Sequence, residues 1–278
     1  MSKIHRDLLS GQAVYKENQF VLYQYGNDLF KLIRFKVPCR QIGFECEDSC
    51  KTIKGSVNDT KTYSNIRRAK EKVFEYAYCN EWTHFATFTI DNNKFPRDDL
   101  AKYYKVFSQW LRDKRKTIGE VKYLIIPELH SDLKNWHMHA LMYFENPDLI
   151  LKPFAIDDSL SWSTVLKFKD LNQQGYLNWQ EYADKFGFCS FGAIKDKIAV
   201  SYYVTKYISK SIECSADKIG LNNKLYYNSR GLSEKVILKK GNMSANISAL
   251  IPDFENDYVM INTFSKVNHH CLDILLQA

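Results

Sequence analysis

Apolar and polar positions alternate with two different periods along this chain, and the switches between them mark out its elements. The clearest period-two stretch is Trp136-His137-Met138-His139-Ala140-Leu141-Met142-Tyr143-Phe144, whose apolar and aromatic content predicts a β-strand. Side chains two apart on a strand share a face, so His137 and His139 point one way and Trp136, Met138 and Ala140 the other. Thr83–Ile90, Lys122–His130 and Phe188–Ile194 read as further strands. Phe20–Tyr25 and Leu29–Val37 read as a strand pair around a turn at Gly26-Asn27-Asp28. The short segment Ser131–Asn135 joins Lys122–His130 to the His-x-His strand as a β-hairpin. If His130 opposes His137, Glu128 opposes His139 and shares its face; a slip of one residue reverses that.

Helical spacing predicts four helices. Ser64–Tyr78 has Ser64 as its cap, Arg67, Arg68, Lys70 and Lys72 along a basic side, and Val73, Phe74 and Tyr76 as apolar surface. Arg97–Lys116 carries Leu100, Tyr103, Tyr104, Phe107, Trp110 and Leu111 at helical intervals. Asn178–Phe186 is a short helix with Asn178 as cap, Glu181 completing a capping box and Gly187 as its stop. Lys197–Ser211 is the fourth. Residues 45–62 read as a polar loop and 147–177 as irregular, and no repeat or low-complexity tract appears.

Composition narrows the class. With 278 residues, 45% apolar and 26% charged, the chain is a soluble globular protein with a substantial core. A net charge of +7 permits a polyanionic partner without demanding one. Between Lys94 and Lys122 there are nine basic and four acidic residues, which suits a solvated face or one that tracks phosphates. The seven cysteines are odd in number and scattered. Cys39, Cys46 and Cys50 lack the paired spacing of a zinc ribbon and read as free packing or loop thiols in a reducing compartment. There is no apolar leader segment and no run near the ~18 apolar residues that a membrane span needs, so a cytoplasmic location without membrane contact is expected.

Two constellations carry chemistry. Paired imidazoles on one strand face suit a divalent cation, and Glu128 across the hairpin is a third candidate ligand or, alternatively, the partner of a basic side chain. In the last helix Tyr203 and Tyr207 are four apart and stack on one face, with Lys206 and Lys210 repeating that spacing one step round. A phenol of ordinary pKa near 10 is a weak nucleophile unless a nearby cation favours its phenolate. The bland alternative is a pair of wet tyrosines beside solvated lysines.

In sequence order, Phe85-Ala86-Thr87-Phe88-Thr89, Trp136-His137-Met138-His139 and Tyr203-Val204-Thr205-Lys206-Tyr207-Ile208-Ser209-Lys210 resemble the three motifs of the HUH-type rolling-circle replication initiators, especially those of microvirus phages and related plasmids. Tyr226-Tyr227-Asn228-Ser229-Arg230-Gly231-Leu232 resembles a segment often found downstream in the phage members. The resemblance implies an α+β fold with a central antiparallel sheet of ferredoxin or RRM-like type and flanking helices. It implies an endonuclease domain over residues 63–232, an N-terminal extension over 1–62, and a C-terminal extension over 233–278 packed on or trailing the core. It further implies that His137, His139 and Glu128 hold Mg²⁺ or Mn²⁺. Tyr203 and Tyr207 would cut and rejoin single-stranded or hairpin origin DNA through a 5′-phosphotyrosine, assisted by Lys206 and Lys210. Arg67, Arg68, Lys102, Lys105, Arg112, Arg115 and Arg230 are candidate DNA contacts. No phosphate-binding Gly-x-x-x-x-Gly-Lys loop is present, so a host helicase and a host polymerase are implied partners. Competing readings are a relaxase or transposase with the same chemistry, a non-catalytic nucleic-acid-binding module, and a structural zinc site on His-x-His.

Overall fold

The computed structural model describes residues 15–40, 59–130, 132, 134–215 and 224–265, with side chains throughout except at 40, 59–64 and 207–215. The polar segment up to residue 58, Cys46 and Cys50 lie outside the described residues. The chain forms two compact units, Val57–Ser233 and a second that combines Met1–Ser56 with Glu234–Ala278.

In chain order the second unit begins with β1 (Gln19–Tyr25) and β2 (Leu29–Phe35), the expected pair around the Gly26 turn. The other unit then runs α1 (Asp59–Cys79), β3 (His84–Thr89), α2 (Leu100–Ile118), β4 (Val121–Leu129), β5 (Trp136–Phe144), α3 (Trp162–Gln173), α4 (Gln180–Lys185), β6 (Cys189–Ala193), α5 (Lys197–Ser215) and β7 (Tyr227–Asn228). The chain returns to the first sheet as β8 (Val236–Asn242), β9 (Phe254–Glu255) and β10 (Val259–Ser265), giving the antiparallel order β8-β1-β2-β10-β9. Phe20, Leu22, Leu32, Ile247 and Phe264 fill its core, and buried Arg34 bridges from the Ile247 carbonyl at 2.9 Å to Asn262 Oδ1 at 2.8 Å. Strands about 200 residues apart in sequence thus share one sheet, a pairing that no local pattern announces.

The Val57–Ser233 unit is a five-stranded antiparallel sheet, β6-β3-β5-β4-β7, with helices on both faces. It is the α+β architecture expected. One face carries Ala86, Phe88, Met138, Ala140 and Met142, and α2 and α4 cover it with Tyr103, Phe107, Leu111, Tyr182 and Phe186. Edge-to-face and stacked rings pervade this side, with Phe88 4.8 Å from Tyr182 and Tyr103 hydrogen-bonded to Tyr182 through their buried hydroxyls at 2.8 Å. The opposite face carries Leu124, Ile126 and Leu141, and α1 and α5 cover it with Val73, Ala77 and Val204. Burial on both faces explains why β4 reads as a nearly continuous apolar run. Pro127 is tolerated inside it for a geometric reason. The Tyr123 carbonyl accepts from Ser229 N on the β7 side, so residue 127, of the same parity, also directs its backbone there, past the end of β7. No ladder bond is lost to the missing N–H.

Three local readings are corrected. The first helix begins at Asp59, so residues 59–62 are helical rather than loop, and Ser64 lies inside the helix instead of capping it. Residues 147–177 contain α3, capped by Ser161 accepting from Thr164 N at 3.3 Å. None of its residues is buried, so it lacks the apolar stripe by which a helix is read. Asn178 does not cap the next helix: it pairs with Lys152 in a short strand, and its side-chain amide donates to Gln180 Oε1 at 2.9 Å.

The stop at Gly187 has a measurable consequence. Its φ is +136°, and a Cβ there would sit 2.6 Å from both Asp91 N and Thr89 O, where the backbone bonds Thr89 N to Phe188 O and Asp91 N to Phe186 O run alongside. Gly187→Ala should cost about 2 kcal/mol or more, read as a lower urea midpoint with an unchanged slope; an unaltered midpoint would show that the β3–β6 edge relaxes freely.

Candidate metal centre and tyrosine helix

The hairpin brings three ligating side chains to one point. In β4–β5 Glu128 opposes His137 and Ile126 opposes His139, a register two residues removed from the one that pairs Glu128 with His139. A slip of two preserves facing, so Glu128, His137 and His139 all point toward the α1/α5 face. Glu128 Oε2 lies 2.9 Å from His137 Nε2 and 2.8 Å from His139 Nε2. The candidate ligand atoms all fall within 4.8 Å of one another. Glu128 is 3% exposed and His139 8%, so the carboxylate is taken out of water and the imidazoles compensate it. The hairpin turn supports this register, because Asp132 Oδ1 accepts from Lys134 N and Asn135 N, both at 2.9 Å. Those two bonds, joined by one from the Asn135 amide, hold the Asp132 carboxyl well below the usual carboxylate range.

Neighbours orient the rings. Thr87 Oγ1 is 3.4 Å from His139 Nδ1, and the Phe85 ring stacks on His139 with centroids 5.7 Å apart. When Nε2 offers its lone pair to a cation, Nδ1 carries the proton and donates toward Thr87. The His130 ring meets His137 edge-on at 6.0 Å.

The α5 helix lies across the same face, anchored by Val204 among Leu124, Ile126 and Leu141. Tyr203 presents its ring edge to Phe85 at 5.4 Å, so Tyr203, Phe85 and His139 form a continuous ring contact. Tyr203 is still 47% exposed, which leaves it open to a substrate. Tyr202 turns instead toward Phe74 of α1, with ring centroids 5.3 Å apart. Two adjacent tyrosines therefore serve different neighbours, and only Tyr203 abuts the His139 stack. Lys206 is exposed one turn on, while the side chains of Tyr207 and Lys210 lie outside the described residues.

The basic residues divide between the two layers. Arg67 and Arg68 are exposed on α1, which shares the α5 side of the sheet, and Arg230 is exposed just beyond β7. Lys102, Lys105, Arg112 and Arg115 belong to α2 on the opposite face, so the structure does not bring them to the imidazoles. Arg115 in particular donates to the Val121 carbonyl and ties the end of α2 to β4. Lys102 stands 5.9 Å above the Phe95 ring. Thr87, Phe85 and His130 are the neighbours that the motifs alone do not single out. Alternation along β3 places Phe85, Thr87 and Thr89 on one face, but their apposition to β5, with Thr87 opposite His139, depends on a non-local pairing.

Residues 83–212 match the family model of the replication-associated protein ORF2, a range that includes Glu128, His137, His139, Tyr203 and Tyr207. No curated protein and no solved structure matches the chain. The family match supports a rolling-circle replication initiator family and with it a replication-associated role.

Removal of the Thr87 hydroxyl tests the orienting contact. Thr87→Val should weaken Mn²⁺ binding about tenfold in isothermal titration, the low end for loss of a group behind a ligating histidine. Unchanged affinity would mean that Phe85 alone holds the ring.

Proposed function

We propose that the chain is a metal-dependent nickase and strand transferase that starts and ends rolling-circle replication by cutting single-stranded or hairpin origin DNA. The observation that carries this reading is the convergence of Glu128, His137 and His139 on the face crossed by the tyrosine helix, with Tyr203 in ring contact with the His139 stack. The donor set, two imidazole nitrogens and one carboxylate oxygen, fits a divalent cation. It favours Mn²⁺ over Mg²⁺, which prefers oxygen ligands alone. A cation held there would neutralise charge on the non-bridging oxygens of a phosphodiester.

The chain's own groups then do the rest. The Tyr203 phenolate oxygen attacks phosphorus in line with the 3′-oxygen. A P–O(Tyr) bond forms, the P–O3′ bond breaks, and the 3′-oxygen leaves and takes a proton as a 3′-hydroxyl. The product is a 5′-phosphotyrosine, and the free 3′-hydroxyl serves a host polymerase as primer behind a host helicase. Exposed Lys206, one turn from Tyr203, favours the phenolate and steadies a phosphate oxygen. A second tyrosine at 207 on the same helix lets the reverse reaction release a closed strand without loss of the first covalent link. In-line attack requires an unpaired, bendable strand, which is why single-stranded DNA is the substrate.

The decisive experiment incubates full-length protein with single-stranded origin DNA and Mn²⁺ and looks for a covalent adduct on a denaturing gel. Wild type should form it and EDTA should prevent it. Glu128→Gln should lower adduct yield at least about tenfold, and Tyr203→Phe with Tyr207→Phe should abolish it. An adduct that persists in the double phenylalanine variant sinks the proposal.

A further inference from the structure

The segment after the tyrosine helix, Tyr226 to Leu232, takes no part in the centre described above. It walls a cleft of about 570 Å³ at the β7 edge of the sheet, between α1 and the start of α2. The volume is within the range of small-ligand sites. Its lining combines three cations, Arg68, Lys72 and Lys224, with three phenols, Tyr104, Tyr226 and Tyr227, and includes no acidic residue.

The parts are unequal. Lys72 is paired at 3.0 Å with buried Glu75, so Arg68 and Lys224, both exposed, contribute most of the positive potential. Tyr227 and Tyr104 stack on each other with centroids 3.7 Å apart, and Tyr104 is tied to Tyr123 through their hydroxyls at 3.0 Å. Those two rings form a fixed aromatic wall. Burial raises the pKa of both phenols, so the wall stays neutral and does not repel an anion. Tyr226, half-buried and edge-on to Tyr76 at 6.4 Å, is the aromatic wall on the α1 side.

Flat neutral rings with cations at the rim are the combination that takes a base by stacking and its phosphate by charge. We propose that this cleft seats one unpaired nucleotide of the DNA strand, its base against Tyr226 and its phosphate on Arg68 and Lys224, and so fixes the strand relative to the metal centre. The inference rests on the reading of the chain as a single-strand nickase. The spacing suits it: β7 pairs with β4 at Leu124 and Ile125, and Glu128 lies roughly 13 Å further along that strand. A nucleotide anchored at the sheet edge would limit how far the strand can slide past Tyr203.

The test uses the full chain in EDTA, where no cleavage intervenes, and a single-stranded oligonucleotide substituted with 5-iodouracil. Ultraviolet crosslinks mapped by mass spectrometry should fall on Tyr226 or its neighbours in the cleft. Fluorescence anisotropy should show Tyr226→Leu weakening strand binding about tenfold, which corresponds to about 1.4 kcal/mol. Lys224→Ala, an exposed change that spares the packing, should lower affinity several-fold and reduce the salt dependence of binding. Crosslinks confined to other surfaces, with both variants binding like wild type, would overturn the cleft and leave the nicking proposal standing. Absence of any single-strand binding would overturn both. Thymidine monophosphate binding as tightly as the strand would reassign the cleft to free nucleotides.

Discussion

One buried carboxylate oxygen sets the terms for the chemistry. Glu128 Oε2 sits between two imidazole nitrogens at hydrogen-bond distance, in a place where water hardly reaches. An unpaired carboxylate there would cost several kcal/mol, so the three side chains are obliged to stay together. The obligation is met by strand geometry. Glu128 on β4 and the two histidines on β5 have matching parity, and the Asp132 turn prevents the hairpin from drifting by one residue. Such a cluster is pre-organised: its ligands need no rearrangement to receive a cation, only loss of the protons held on Nε2.

The two faces of the central sheet divide the labour. The α2/α4 side is crowded with interlocked aromatic rings and has no polar cluster to accommodate, so it supplies rigidity. The α1/α5 side is packed more lightly around Leu124, Ile126 and Leu141, and the space toward the open end of β4 and β5 goes to polar groups. Local charge counting misleads for this reason. The basic stretch around residues 94–122 is the solvated back of the aromatic layer, where Arg115 is occupied with a strand carbonyl. Its excess of positive charge is real, but it belongs to the wrong layer for a strand held at the imidazoles.

What can be read from the sequence follows from parity and period. His-x-His on a strand, Glu128 on the facing strand and Tyr203 on a helix are legible because each depends on short-range alternation, and parity survives an even slip in register. The pairing itself is not legible: Glu128 opposes His137 rather than His139. Thr87 and Phe85 lie within a strand that alternation marks, yet their place beside His139 arises from pairing across some fifty residues. The sheet of β1, β2, β8 and β10 is half legible for the same reason: its hairpin is local and its outer strands are not. Helix α3 escapes a periodic reading because exposed Trp162 and Leu166 are not matched by a buried stripe, and Asn178 misleads because an amide suited to capping is engaged by Gln180.

The arrangement also explains why one tyrosine of an adjacent pair is suited to chemistry. Successive helical residues are turned by about 100°, so Tyr202 and Tyr203 must face different neighbours. Tyr202 covers Phe74 and helps join α5 to α1, which makes it part of the helix pair. Tyr203 rests on Phe85 by its edge, with half its surface open, and Phe85 in turn lies flat on His139. A nucleophile needs both a fixed ring and an accessible oxygen, and an edge contact with an exposed remainder meets those two demands together. Phe85 is therefore more than packing: as an apolar spacer between phenol and imidazole it keeps the two from bonding directly. A direct bond would tie up the oxygen that must reach phosphorus and the nitrogen that must reach the cation.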